Sequence, residues 1–261
     1  MMWQRVCRVF FCLMIISVAG CTTSPTGRSQ FIMVNDSQLD SQGRQLFMQM
    51  KNKVPVLTDP SVNARVDCVA KALLWQLPQG QREGWEVRVF DDKTPNAFAL
   101  PGRKIGVFTG MLRLAQNNNQ LAAVIGHEIS HVQARHGNER ASMDMVSQLG
   151  QGVAEIAAPG SGNLVGLGSQ LGFLLPYSRT QENEADIMGQ VLMARAGFDP
   201  RASIDLWLLM QKQNQGAPPQ FLSTHPAHGD RIQKLHAQLP KVMPLYERSR
   251  AMGNSPHCPS G

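Results

Sequence analysis

Two histidines and a glutamate are spaced for metal chemistry in the segment His127–His131. In this H-E-x-x-H motif the histidines lie four residues apart, so on a helix both imidazoles project from one face, one turn apart. That geometry suits two ligands of a single tetrahedral Zn²⁺. Glu128 stands at the position from which a carboxylate acts as general base on a metal-bound water. The motif therefore predicts a hydrolytic site with one zinc ion per chain.

A catalytic zinc needs a third protein ligand, and the residues directly after the motif do not offer one at a suitable spacing. The spacing in which a histidine follows His131 by six residues fails, because Gly137 is there. His136 is near but out of register. We interpret it as a helix-end residue favoured by the helix dipole and not as a ligand.

A carboxylate from a second helix is the alternative, and the segment Glu182–Asp186 supplies candidates. Glu182 and Asp186 are four residues apart and share one face of a helix. Glu184 lies two residues from Glu182, so it points to the other side, and we expect it to be in solvent.

The sequence resembles the HtpX/BepA-type zinc metallopeptidases, a family that includes the CAAX prenyl protease and the mitochondrial Oma-type proteases. The similarity extends over roughly residues 54–239, and its motifs occur in the family's order. The segments that carry the resemblance are Asn96–Gly102, Phe108–Gly110, Gly126–His136, Tyr177–Asp186, and Ser223–Pro226 with Asp230 and Arg231.

This resemblance implies roles for residues beyond the H-E-x-x-H motif. It implies Glu182 as the third zinc ligand, and Asp186 as a partner behind the site and a proton donor. It implies that His225 approaches the metal as a switch or as an oxyanion stabiliser. Arg231 is left open between a substrate-binding role and a surface ion pair.

The N-terminus has the order of a secretory signal peptide, with Arg5 and Arg8 before a short apolar stretch and small residues. Cys21 follows those small residues and resembles the lipidated cysteine of bacterial lipoproteins. We therefore predict a signal peptide over residues 1–20, a lipid on Cys21 and a flexible tether over residues 21–35. The predicted location is the periplasm, anchored to the outer membrane.

Two further cysteines, Cys68 and Cys258, remain once the signal and Cys21 are set aside. An even pair in an exported protein predicts one disulfide. It would join the C-terminal tail, predicted over residues 246–261, to an early helix.

Periodicity and turn residues predict an α+β fold that is mainly helical, with a small sheet. With the resemblance, this indicates a zincin-type metallopeptidase domain over residues 36–245. The predicted strands are 85–90, 96–100 and 105–109, and the predicted helices are 36–53, 61–75, 111–115, 119–136, 178–196, 200–213 and 230–239.

Composition and charge limit the classes of partner that the protein is expected to bind. The formal net charge of +6 comes from scattered basic residues without interleaved aromatics, so we expect no binding to nucleic acid. A mild positive excess suits an anionic membrane surface or polar substrates. Beyond the signal no apolar run has membrane length, so we expect a domain on a lipid tether.

These observations predict a zinc metalloendopeptidase whose substrates are misfolded or unassembled polypeptides of the bacterial envelope. The alternative is a chaperone-like assembly factor whose zinc site is held shut by His225 and which works with the envelope assembly machinery.

Overall fold

The structure, a computed structural model, describes residues 21–157, 176–213, 220–226 and 229–260. The predicted signal peptide lies outside the described residues. The helices and strands follow one another in this order: β1 (Cys21–Thr23), β2 (Ser29–Phe31), α1 (Asp36–Lys53), α2 (Pro60–Leu74), α3 (Gln79–Arg82), β3 (Glu86–Phe90), β4 (Ala97–Leu100), β5 (Lys104–Phe108), α4 (Thr109–Leu114), α5 (Asn118–Gln133), α6 (His136–Ala157), α7 (Arg179–Ala196), α8 (Ala202–Gln213), α9 (Gln220–Thr224) and α10 (Arg231–Ala251). The predicted fold class, mainly helical α+β, is confirmed.

The three central strands form a sheet in the order β3-β5-β4, with β3 parallel and β4 antiparallel to β5. One face of the sheet contributes Val89, Ile105 and Val107 to the main hydrophobic core. The other face carries Phe90 and Phe108, which pack with their ring centroids 5.8 Å apart in an edge-to-face arrangement. Helix α1 covers that second face, and the sheet therefore lies between two helical layers.

Helix α5 runs through the middle of the molecule and carries the H-E-x-x-H motif. Its first turn is capped by Asn117, whose side chain accepts a hydrogen bond from the Gln120 amide at 2.9 Å. Buried Leu121, Val124 and Ile125 then anchor the helix in the main core. The motif sits in the second half of the helix, where every residue from Gln120 to His131 is buried.

Helix α7 crosses α5 at two glycines, and this crossing brings the second motif to the first. A Cβ placed on Gly189 would lie only 3.1 Å from the backbone nitrogen of His127. A Cβ on Gly126 would lie 3.4 Å from the carbonyl oxygen of Gly189. Small residues at the crossing therefore let the two backbones approach until the carboxylates of α7 reach the histidines of α5.

Helices α5 and α10 do not end where the sequence predicts. Helix α5 stops at Gln133, because Arg135 adopts a left-handed backbone conformation with a φ of 54°, and α6 begins at His136. Helix α10 continues past the predicted end at residue 239 through Pro240 and Pro244. These prolines lie four residues apart on the exposed face, where water can satisfy the carbonyls they leave unpaired.

The two ends of the described chain are packed onto the domain. Where the sequence predicts a flexible tether, strands β1 and β2 form an antiparallel hairpin that turns at Gly27, and Gln30 is buried. At the other end, a disulfide joins Cys258 to Cys68 of α2 across 190 residues of sequence. No helix in the described ranges is long and apolar enough to cross a membrane.

Candidate active site

His127, Glu128 and His131 lie side by side on the buried face of α5, each at most 5% exposed. The Nε2 atoms of the two histidines are 3.0 Å apart, so both rings direct the same nitrogen to a common point. Glu128 lies beside that point, and its Oε2 accepts a hydrogen bond from the Ala99 amide of β4 at 3.0 Å. The spacing of the motif thus produces the one-faced arrangement that the sequence predicts.

Glu182 reaches the same point from α7 and is fully buried. Its Oε1 is 3.4 Å from Nε2 of His131, and its Oε2 is 3.5 Å from Nε2 of His127. The start of α7 is fixed by a capping box, in which Ser178 and Gln181 exchange side-chain-to-backbone hydrogen bonds. This cap sets the helix so that its first turn delivers Glu182 to the histidines.

His225 completes the cluster from the segment after α9. Its Nδ1 lies 3.2 Å from Nε2 of His127 and 3.0 Å from Oε1 of Glu182. Its Nε2 lies 3.3 Å from Oε1 of Glu128. One ligand atom each from His127, His131, Glu182 and His225 falls within 4.8 Å of the others, and all four side chains are buried.

The donor set of this cluster fits a zinc ion. A neutral imidazole has a single N–H, so the ring nitrogens that converge on Nε2 of His127 cannot all be hydrogen-bonded to one another. A cation at the centre relieves the repulsion of their facing lone pairs. Ligand atoms of a tetrahedral zinc with bonds near 2.05 Å lie about 3.3 Å apart, which is close to the separations found here.

The electrostatics of the cluster also favour a cation. Burial alone lowers the pKa of His127, but Glu182 and Asp186 outweigh it and raise that pKa to about 9. Burial opposes ionisation of Glu182, yet His225, Arg231 and His127 hold its pKa well below the usual range. Burial raises the pKa of the Glu128 carboxyl. The buried carboxylates of Glu182 and Asp186 therefore favour a positive charge at His127.

Arg231 and Asp186 support the cluster from behind. Oδ1 of Asp186 lies 3.0 Å from Nδ1 of His127, on the side of the ring away from the cluster. Arg231 binds Asp186 with two hydrogen bonds of 2.7 Å, and its Nη1 lies 2.5 Å from Glu182. The guanidinium stacks 3.6 Å from the ring centre of Trp207. The sequence left the role of Arg231 open. Because Arg231 is only 1% exposed, it does not form a surface ion pair.

The expectation that Glu184 lies in solvent is wrong. Glu184 is 4% exposed, and its Oε2 is 3.1 Å from Nε2 of His136, which is fully buried. Glu184 does point away from the cluster, as its spacing from Glu182 requires. The N-terminal hairpin and α6 pack against that side of α7. The residue pattern of a single helix cannot reveal contacts with segments that are distant in sequence.

A cleft of about 620 Å³ opens beside the cluster, with Glu128 and His131 in its wall. Strand β4 forms one side and is an edge strand, so part of its backbone is not paired within the sheet. The amide of Ala99 points out from that edge to Glu128. Apolar side chains of α1, among them Leu46 and Met50, line the cleft further out.

The sequence model of Peptidase family M48 matches residues 59–239. The chain belongs to this family. The M48 peptidases depend on zinc, and the resemblance to the HtpX/BepA-type enzymes is confirmed at the level of the family.

Curated relatives agree with this membership. The chain is 40% identical over 167 residues to the mitochondrial metalloendopeptidase OMA1 of Schizosaccharomyces pombe, covering 63% of this chain and 50% of the relative. It is 31% identical over 245 residues to human OMA1, covering 85% and 46%. It is 25% identical over 240 residues to the beta-barrel assembly-enhancing protease of Escherichia coli O157:H7, covering 87% and 49%. The chain thus spans about half the length of these relatives.

We predict that Arg231→Leu destabilises the protein by roughly 3–5 kcal/mol, because it leaves Glu182 and Asp186 buried without their cation. Arg201→Leu is the matched control, since Arg201 pairs with Asp199 while 61% exposed, and it should change stability by less than about 1 kcal/mol. Urea unfolding of both variants measures the difference. Equal midpoints for the two variants would contradict the structural role given to Arg231.

Proposed function

We propose that this protein is a zinc-dependent endopeptidase of the bacterial envelope that cleaves misfolded or unassembled polypeptides. The proposal rests on the buried cluster, which lies in the wall of a cleft. The edge strand β4 lines the same cleft. Among the described residues β4 is an edge of the sheet, and a zinc site beside such an edge suits the hydrolysis of an extended peptide.

In this proposal His127, His131 and Glu182 hold the zinc. A zinc ion held there would polarise the scissile carbonyl and lower the pKa of a water. Glu128 accepts a proton from the attacking water and delivers it to the leaving amine. Its hydrogen bond from Ala99 fixes the orientation of the carboxylate toward the cleft. Asp186 keeps the His127 ring in place through Nδ1.

Substrate recognition in this proposal uses main-chain hydrogen bonds. Along β4, Phe98 pairs with Gly106 on β5, so the peptide groups of the alternate residues Ala97 and Ala99 face away from the sheet. An extended chain can add to this edge with little regard to its sequence. Leu46 and Met50 offer an apolar surface to the side chains of such a substrate. Folded proteins rarely expose apolar side chains that could bind there, whereas misfolded chains do.

We predict that Glu128→Gln keeps its zinc but loses casein hydrolysis by at least about a hundredfold, since an amide cannot accept the proton. Exposed Glu247→Gln should hydrolyse casein like the wild type. Zinc content by mass spectrometry and cleavage with and without a chelator measure both properties. Substantial turnover by zinc-loaded Glu128→Gln would remove Glu128 from the mechanism.

We also propose that a lipid on Cys21 anchors the protein to the outer membrane. Cys21 is exposed at the first residue of β1, and this supports its access to a membrane surface. The bacterial relative named for beta-barrel assembly favours the envelope and its assembly machinery. The mitochondrial relatives are metalloendopeptidases as well, so family membership alone does not favour the envelope. This part of the proposal therefore rests on the signal segment and Cys21.

We expect Cys21→Ala to abolish the incorporation of labelled palmitate and to release the protein from membrane fractions or leave it unprocessed. Cys12→Ala changes a cysteine of the signal segment and should incorporate label normally. Immunoprecipitation from labelled cells, followed by fractionation, compares the two variants. Equal labelling of Cys21→Ala and wild type would end the anchor proposal.

A second candidate function is that of a chaperone-like assembly factor whose peptidase is latent. The observation that favours it is the contact of His225 with both His127 and Glu182, since this places a third imidazole where water would otherwise bind. In this reading His225 holds water out of the site until a substrate or partner displaces the segment after α9.

If His225 closes the site, His225→Ala should cleave casein several-fold faster than wild type at an unchanged zinc content. The exposed His236→Ala serves as the control and should match the wild type. Initial rates under saturating zinc measure the effect. A fall in rate with zinc retained would show that His225 assists catalysis and does not block it.

A further inference from the structure

His131 has a second imidazole behind it, which the H-E-x-x-H motif does not include. Its Nδ1, on the side away from the cluster, lies 2.9 Å from Nδ1 of His136. His136 is fully buried at the first residue of α6. The other nitrogen of His136, Nε2, lies 3.1 Å from Oε2 of Glu184. A line of contacts therefore runs from His131 through His136 to a carboxylate.

Only one arrangement of protons lets His131 bind a metal through Nε2. A neutral ligand histidine that gives Nε2 to the metal carries its proton on Nδ1, so His131 donates to His136. Nδ1 of His136 must then be bare, and its proton lies on Nε2, where it is donated to Glu184. The opposite arrangement puts the proton of His131 on Nε2 and removes it as a ligand.

The carboxylate at the end of this line is fixed by the N-terminal hairpin. Oε1 of Glu184 accepts a hydrogen bond from Thr26 at 2.5 Å, and Oε2 accepts one from Nε of Arg28 at 2.7 Å. The remaining guanidinium nitrogens of Arg28 bind both oxygens of Glu139 on α6 at 2.7 and 2.8 Å. Arg28 thus ties Glu184 on α7 to the helix that begins with His136.

The hairpin also holds the short connection between the two histidines. Gln30 of β2 donates a hydrogen bond of 2.6 Å to the carbonyl of Ala134, inside the buried break between α5 and α6. That carbonyl is one of those that the end of α5 leaves without a helical partner. The hairpin therefore satisfies the backbone between His131 and His136 as well as the carboxylate beyond them.

We propose that His136 and Glu184 are positioning residues that fix the ring and the tautomer of His131 for zinc, and that Arg28 of the hairpin holds them in place. This rests on the proposed function, in which His131 is a ligand. His127 has a carboxylate directly behind it in Asp186, whereas His131 reaches its carboxylate through a second imidazole. The segment next to Cys21 becomes part of the zinc site by this route.

Zinc affinity tests the proposal independently of peptidase activity. Glu184→Ala should bind zinc about 10- to 100-fold more weakly than wild type, as is typical when a partner behind a ligand is lost. Arg28→Ala should also weaken binding, by a smaller factor. Lys51→Ala is the matched control, because Lys51 and Arg28 are both 22% exposed and both pair with a glutamate. It should bind zinc as the wild type does.

Competition with a chromogenic chelator measures these dissociation constants, and circular dichroism of the metal-free proteins shows whether each variant is folded. Unchanged affinity in folded Glu184→Ala and Arg28→Ala, beside a wild type that binds one zinc, would overturn the inference and leave the proposed function standing. A wild type that binds no zinc would overturn the proposed function and this inference with it.

The tautomers give a second readout that a merely structural role for these residues would not require. Long-range ¹H–¹⁵N correlation spectra of the zinc-loaded protein should show His131 protonated on Nδ1 and His136 protonated on Nε2 only. In zinc-loaded Arg28→Ala the signals of His136 should shift or broaden, while those of His127 stay in place. A proton on Nδ1 of His136 in the wild type would contradict the proposal.

Discussion

The burial of Glu182 and Asp186 on one face of α7 is the constraint around which the rest of the molecule is arranged. A carboxylate out of water costs several kcal/mol unless cations and hydrogen-bond donors surround it. Arg231 supplies one cation between the two groups, and the histidines of α5 supply polar partners on the other side. The two glycines at the helix crossing make this meeting sterically possible.

Both ends of the described chain contribute to this buried centre. Arg28 approaches from the N-terminal hairpin and Arg231 from the start of α10, and each binds a carboxylate of α7. Each arginine also contacts a second acidic group, Glu139 or Glu182. Because these partners are distant in sequence, the site forms only when the hairpin, α5, α7 and α10 are all in place. The geometry of the site therefore depends on the whole domain.

The sequence could predict what periodicity and local spacing determine. His127 and His131 are four residues apart on a strongly apolar helix, so their common face follows from helix geometry. The sheet follows from alternation in Glu86–Phe90 and its neighbours. The pair Glu182 and Asp186 shares a face for the same reason as the histidines, and all of these lie where the sequence puts them.

What the sequence could not predict depends on what covers each helix from elsewhere. Glu184 looks like a solvent residue until the hairpin is placed over it. The role of Arg231 stays open between substrate binding and a surface ion pair until Trp207 and α7 enclose it. Pro240 looks like a helix end, although its lost hydrogen bond falls on an exposed face. In each case the deciding neighbour is remote in the chain, and no motif encodes it.

The central claim is that α5 and α7 together hold one zinc through His127, His131 and Glu182. Anomalous X-ray diffraction from crystals of the zinc-loaded protein, recorded on both sides of the zinc absorption edge, tests it most directly. We predict a single peak within about 2.0–2.2 Å of Nε2 of both histidines and of an oxygen of Glu182. A peak bound to Glu184, or one that lacks either histidine, would contradict it.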